Sequence, residues 1–180
     1  MTLRTLFLLR SLDLGGAERQ AVVLCRGLQG RGHTVTVVLF YPGGPLVAEL
    51  TEAGIPVHSL AKRGRWDLLG PLVRLRELIV RERPDILHGV LPVADILATV
   101  VSLTVRAFRP KLVFGVRASD LGMSHHDMIS RLSYKIEAWL GGRADLVIAN
   151  AEAGLRAVWA RGLASSRGLV IPNGIDTDRF

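Results

Sequence analysis

The residues best placed to do chemistry form one short stretch, Ser11-Leu-Asp-Leu-Gly-Gly-Ala-Glu-Arg19. It joins an apolar run, Leu3 to Leu9, to a segment in which Ala17, Ala21, Leu24, Cys25 and Leu28 recur on one helical face. That spacing predicts a strand, a glycine turn and a helix. Glycine at 15 and 16 allows backbone angles closed to other residues and leaves no side chain in a ligand's path. The first turn of the helix offers unpaired N–H groups and partial positive charge. Gly15 and Gly16 are therefore a candidate phosphate seat; the plain alternative is a tight turn with no ligand. The dinucleotide fingerprint Gly-x-Gly-x-x-Gly is absent, which argues against an ordinary NAD site.

Other polar residues follow apolar runs: Ser11 and Asp13, His88, Arg117 to Asp120, Asn150 and Asn173. In an open parallel sheet the ligand cleft lies at the C-terminal ends of the strands. One cleft would then combine the glycine seat, a cation (Arg117), a carboxylate (Asp120) and two amides (Asn150, Asn173). That mixture suits a phosphorylated or polyhydroxylated ligand. His88 reads equally well as a packed core histidine. His125 and His126 are adjacent, so they lie on different sides of a helix and make no metal pair, and no acidic or Cys/His cluster has metal-binding spacing. Ser11 and Ser119 lack the Gly-x-Ser-x-Gly context of a hydrolase nucleophile.

The elements that must hold these residues follow from composition and pattern. The chain has 180 residues, 49% of them hydrophobic and 22% charged, which suits one globular domain with a real core. The net charge of +7 reflects either an arginine-rich composition or an anionic partner. The basic residues are dispersed and aromatic residues are few, so nucleic acid is not the expected partner. Cys25 is the only cysteine and falls on the apolar face of the first helix, which excludes a disulfide within the chain and fits a cytoplasmic setting. Leu3 to Leu9 is too short for a signal-peptide core, and Arg10 closes it. The apolar stretch Leu87 to Val105 is broken by Pro92 and Asp95 and makes a poor membrane span.

Along the chain, strands are predicted at Leu3 to Leu9, Thr34 to Phe40, Ile55 to Leu60, Asp85 to Val90, Lys111 to Val116, Asp145 to Ala149 and Gly168 to Ile171. Helices are predicted between them. One covers Leu46 to Ala53. One carries the stripe Leu68, Leu72, Leu75, Ile79, and one runs from Val93 to Phe108, sandwiched in the core. Another carries Met128, Leu132, Ile136 and Leu140 and stops at Gly141-Gly142. The last covers Ala151 to Ala160 with Trp159 turned inward. Strict alternation of strand and helix predicts an α/β fold, a doubly wound parallel sheet of about seven strands with right-handed crossovers. Lys62 to Arg83 is strongly basic. It is either a solvated helix face or a contact with anionic lipid headgroups, with Trp66 at the interface.

Several stretches together resemble the N-terminal domain of GT-B glycosyltransferases, in the large retaining group called subfamily 4. They are Leu14-Gly-Gly-Ala-Glu-Arg19, Arg31-Gly-His-Thr-Val35, Arg83-Pro-Asp-Ile-Leu-His88, Ala144-Asp-Leu-Val-Ile-Ala-Asn150 and Val170-Ile-Pro-Asn-Gly-Ile-Asp-Thr-Asp-Arg-Phe180. The resemblance implies a Rossmann-like, acceptor-side domain over residues 1–172, with residues 173–180 leading into a C-terminal domain that holds most of the nucleotide-sugar. It implies that Gly15 and Gly16 reach the donor diphosphate. Asp13, His88, Ser119, Asn150 and Asn173 would face the acceptor, a glycan, polysaccharide or lipid-linked molecule. Many relatives carry a histidine after the fifth strand, where this chain has Arg117-Ala-Ser-Asp120. The spacing lets either Arg117 or Asp120 take that catalytic place. The resemblance also implies no metal, no bound cofactor beyond the nucleotide-sugar co-substrate, and an isolated domain without turnover. The reading from residues alone leaves an alternative, a self-sufficient nucleotide-binding or regulatory module.

Overall fold

A computed structural model describes residues 1–64, 67, 69–117, 128–163 and 167–174, with the backbone alone at 128–131. Seven parallel strands form one sheet: β1 Arg4–Leu9, β2 Thr34–Leu39, β3 Val57–Ser59, β4 Ile86–Val90, β5 Lys111–Val116, β6 Leu146–Ala149 and β7 Gly168–Val170. Their order is β3-β2-β1-β4-β5-β6-β7, so the first strand lies inside the sheet. The helices are α1 Gly16–Gly30, α2 Val47–Glu52, α3 Leu69–Glu82, α4 Pro92–Ser102, α5 Met128–Leu140 and α6 Glu152–Ala160. A 3-10 turn, Gly141–Arg143, follows α5.

The order of the strands decides which face each helix covers. Right-handed crossovers that step from β1 outward to β3 put α1 and α2 on one face. Those that step the opposite way, from β3 over to β4 and on to β7, put α3 to α6 on the other. The buried residues divide accordingly. Phe7, Leu9, Val35 and Val37 meet Ala21, Val22 and Cys25 of α1 and Leu50 of α2. Leu6, Leu8, Leu87 and Leu112 meet Leu75 and Ile79 of α3 and Ala94, Ala98 and Val101 of α4. Phe114, Val116, Val147 and Ala149 meet Leu155 and Val158 of α6. Near-continuous apolar strands are what a sheet buried on both sides requires.

The elements match the sequence pattern, with instructive differences. Helix α4 ends at Ser102, short of the expected Phe108. Hydroxyls explain the early stop: Ser102 Oγ donates to the Thr99 carbonyl at 2.8 Å and Thr104 Oγ1 to the Val101 carbonyl at 2.7 Å. Both compete with backbone donors for the last turn. The outer side of α4 is not sandwiched, because Val93, Val100 and Leu103 reach solvent. Trp159 is also half exposed rather than turned inward. Its ring lies over Gly168, where an added Cβ would sit 2.7 Å from Cζ2, so it caps the edge strand.

The largest difference concerns α5. Leu132 and Ile136, two of the apolar residues that marked this helix, are exposed, whereas Glu137 is 3% exposed. Glu137 faces Asp95 in the first turn of α4, itself fully buried. Gly89 makes the room: a Cβ there would stand 2.2 Å from Asp95 Oδ1. Neither Asp95 carboxylate oxygen has a hydrogen-bond partner among the described residues, so its burial favours the protonated acid. Burial, and then the adjacent Glu137, raises the Asp95 pKa well above the ordinary carboxylate range. Burial pushes Glu137 up to about 7, opposed by the neighbouring Asp95 and by Arg161. Arg161, on the turn after α6, also stacks over the Tyr134 ring at 4.5 Å.

Candidate active site

Because all strands are parallel, the residues following β1, β4, β5, β6 and β7 gather along one rim of the sheet. Gly15 and Gly16 follow β1 there. Gly15 is extended, with φ −140° and ψ 159°, and no side chain caps α1. Gly16 is exposed, and an added Cβ would meet nothing within 4 Å. The pair therefore does not supply left-handed angles, as expected from glycine; Gly16 leaves the approach to the helix N-terminus clear, whereas Gly15 does not. The Gly15 N–H donates to the Asp13 carbonyl at 3.0 Å, and Ser11 Oγ donates to Asp13 Oδ2 at 2.7 Å, which shapes the turn.

Two features of this turn were not visible in the sequence. The Glu18 carboxylate folds back over Gly15, where an added Cβ would lie 2.1 Å from Oε2. A carboxylate is favoured at a helix N-terminus, so Glu18 occupies the place that suits an anion. A diphosphate seated there would have to turn Glu18 away. Arg19 donates to Glu49 Oε1 at 2.5 Å and ties α1 to α2, which takes it out of the ligand inventory.

Beyond β5, Arg117 Nη1 lies 3.5 Å from Asn173 Oδ1, and its Nε is buried without a partner among the described residues. Burial lowers its pKa from the ordinary guanidinium value. After β6, the Asn150 N–H donates to the Val116 carbonyl at 3.3 Å, while its buried Oδ1 has no described partner. Asn173 lies on the segment after β7. Gln20 of α1 holds that segment, donating to the Gly174 carbonyl at 2.9 Å and accepting the Gly174 N–H at 3.1 Å. Nothing in the sequence pattern marked Gln20, since its partner is 154 residues away.

His88 is not at a strand end. It sits inside β4, paired with Phe7 and Val113, with its ring stacked on Phe7 at 4.8 Å between centroids. It faces the α1 side and is 4% exposed, with Nε2 unpartnered among the described atoms. Burial, reinforced by Arg117, lowers its pKa to about 3. At neutral pH it is a neutral imidazole and no base of useful strength. His88 and Arg117 line one groove of about 630 Å³, between α1 and strands β4 to β6, walled by Val23, Leu28, Val113 and Ile148 and lined toward the rim by Pro172 and Gly174. Gly15, Gly16, Asp13 and Asn150 do not line it. Ser119 and Asp120 lie outside the described residues, as do Trp66 and the pair His125 and His126.

A seven-stranded parallel sheet with an uncapped glycine turn after its first strand can now be set beside known proteins. Residues 14–179 match the family model Glycosyltransferase Family 4. The chain belongs to that family. Solved structures agree on the fold. The Anabaena protein HepE, solved in complex with UDP, superposes with a TM-score of 0.78 at 24% identity, over 98% of this chain and 45% of its own. The lipopolysaccharide outer core galactosyltransferase WaaB gives 0.71 at 13% identity, over 96% and 46%. Sucrose-phosphate synthase from Thermosynechococcus elongatus gives 0.70 at 15% identity, over 98% and 50%. The family 4 domain described here thus has an N-terminal-like GT-B fold and spans somewhat less than half of the HepE chain. No curated protein matches it significantly.

Proposed function

We propose that this family 4 domain is the acceptor-side half of a retaining glycosyltransferase. It would act with a C-terminal domain, reached through residues 173–180, that holds most of a nucleotide-sugar. The sugar passes to a glycan, polysaccharide or lipid-linked acceptor on the cytoplasmic side of the cell envelope. One observation supports the reading: Gly16 is clear at the strand rim and no side-chain hydrogen bond caps α1, so its first amides can receive a diphosphate once Glu18 turns away. Negative charge that develops on a leaving diphosphate is stabilised by N–H groups already aimed at it. Arg117 adds a cation on the same rim, and Asp13, Ser119, Asn150 and Asn173 supply partners for acceptor hydroxyls. His88, buried and neutral, serves as a floor for the groove and not as a base. Arg117 and Asp120 remain the two candidates for the position of the family histidine, and the chemistry calls for neither metal nor bound cofactor.

The test uses a two-domain protein in which this domain precedes a family donor domain. Transfer from a panel of nucleotide-sugars should appear there and be absent from the 180-residue chain. Gly16→Val, which keeps the backbone N–H but puts a branched side chain in the open approach, should hold the diphosphate off these amides and lower kcat about a hundredfold, the order lost when an oxyanion donor cannot reach its charge. Absence of both transfer and donor hydrolysis with every nucleotide-sugar would overturn the proposal. Tight nucleotide binding by the 180-residue chain alone, measured by calorimetry, would favour a self-sufficient nucleotide-binding module instead.

A further inference from the structure

Cations that lie against the body of the domain are matched locally. Arg19 pairs with Glu49, Lys111 with Asp145, and Arg74 donates to the Leu60 carbonyl. Arg117 breaks the pattern. It is half-buried at the strand rim, and its Nε is buried without a partner among the described residues. Its described hydrogen bond, from Nη1 to Asn173 Oδ1, is long at 3.5 Å. That leaves the edge formed by Nε and Nη2, the fork that grips a carboxylate or a phosphate through two parallel bonds. Burial by itself lowers the Arg117 pKa, so no described acid stands near enough to offset the cost of desolvating the cation. A charge taken out of water calls for a counter-charge, and here the chain does not supply it.

A second orphan lies beside it. Phe114 and Val116 face α6, so Gly115 and Arg117 alternate onto the α1 side of the sheet. The missing side chain at Gly115 leaves His88 Nε2 open, since a Cβ there would stand 2.9 Å from that atom. His88 is 4% exposed, and its Nε2 also lacks a partner among the described residues. Both side chains line the same groove, and the guanidinium is close enough to help lower the pKa of the imidazole. A neutral imidazole can donate one N–H to a carboxylate oxygen. The residues next to the pair, Phe7, Val113 and Ile148, are apolar. Position separates this anion from the diphosphate. Gly15 and Gly16 follow β1 and Arg117 follows β5, with β4 between them. Neighbouring strands lie about 4.8 Å apart, so the guanidinium stands roughly 10 Å along the rim from the glycine turn, about one sugar ring beyond a phosphate seated there. The two glycines do not line the groove.

We infer that Arg117, with His88 Nε2 beside it, binds the carboxylate of an acidic sugar, so that one of the two sugars brought together on this rim is a uronic acid. The inference rests on the transferase reading for the ligand being a sugar; the need for an anion follows from the unpaired guanidinium. Arg117 is then a specificity-determining residue. A uronate fills its fork, whereas a neutral hexose leaves buried polar nitrogens unpaired and is rejected for that reason.

The side-chain Nε–H resonance of Arg117, assigned by its loss in Arg117→Lys, reports on the site in the 180-residue chain. Titration with methyl glucuronide should shift it and methyl glucoside should not, with the glucuronide binding tighter by about tenfold or more. Arg117→Gln should remove that preference. Arg117→Lys, which keeps the charge and loses the fork, should lose most of it. Arg156→Gln, exposed on α6, should leave it unchanged. Circular dichroism of each variant establishes that the fold is intact. Inorganic pyrophosphate should shift the amides of Gly16 and Ala17 and leave the Arg117 signal in place. Equal binding of the two glycosides, or no shift of Arg117 with either, overturns the inference. So does a larger shift of Arg117 with pyrophosphate than with the glucuronide, since the diphosphate would then be the counter-charge. The two-domain protein keeps the two readings apart. Transfer confined to neutral donors and acceptors sinks the uronate site alone, and selective glucuronide binding without any transfer sinks the transferase reading alone.

Discussion

Helices α1 and α5 are striped alike in sequence and packed in opposite senses. Helix α1 turns Ala21, Val22 and Cys25 to the sheet and its charges to solvent or to α2. Helix α5 turns Glu137 inward and Leu132, Ile136 and Trp139 outward. Periodicity shows that a helix has two faces, but the surface it meets decides which one goes in. The sheet offers α1 Phe7, Val35 and Val37, all apolar. Helix α4 offers α5 a buried carboxyl, and a glutamate that can itself take up a proton faces it there in place of a leucine.

The largest test of this contrast is Gly89→Ala. A methyl group there meets Asp95 Oδ1 at 2.2 Å, and the Asp95 backbone N at 2.8 Å and Cα at 2.9 Å, so α4 must move off β4. Urea denaturation should show a loss of more than ~3 kcal/mol, or no folded protein. If the variant is as stable as the parent, the tight seat of Asp95 is not what orders α4 and α5.

Glu137→Gln gives the next largest effect, and it depends on pH. Glu137 and Asp95 hold protons more tightly in the folded chain than in the unfolded one. Stability from this pair is therefore full at low pH and falls as pH rises from the ordinary carboxylate range, through about 7 for Glu137 and on through the raised pKa of Asp95. Glutamine keeps the hydrogen-bonding shape without the proton. The variant should be more stable than the parent near pH 8, by roughly 2 kcal/mol, and similar to it near pH 4. Thermal melts across that range decide; parallel Tm profiles for the two proteins would show that ionisation of Glu137 does not govern this part of the stability.

The smallest effect should come from Trp139→Ser, which ought to change unfolding free energy by less than ~0.5 kcal/mol, since the ring touches little but Arg143. A larger loss would mean that the outer face of α5 is part of the core after all.

Much of the fold could be read from the chain because each strand is an apolar run and each helix start has its own punctuation. The glycine turn was legible for the same reason, although the glycines provide access and not unusual angles. The rest depended on partners distant in sequence. Asp95 and Glu137 are 42 positions apart by their numbers and mean nothing until α4 and α5 meet. His88 looked like a site residue by its type and not its position, since the strand expected over Asp85 to Val90 already runs two residues past it, as β4 does. Glu18 reads as an ordinary helix-start acid until its carboxylate is seen lying across Gly15.

The paired bonds between Gln20 and Gly174 have a mechanical consequence. They leash the polypeptide leaving the last strand to the opening turns of the helix that carries the glycines. Any tug on that exit is felt one turn from the proposed diphosphate seat, so motion beyond the sheet and grip on a donor would be two ends of one lever.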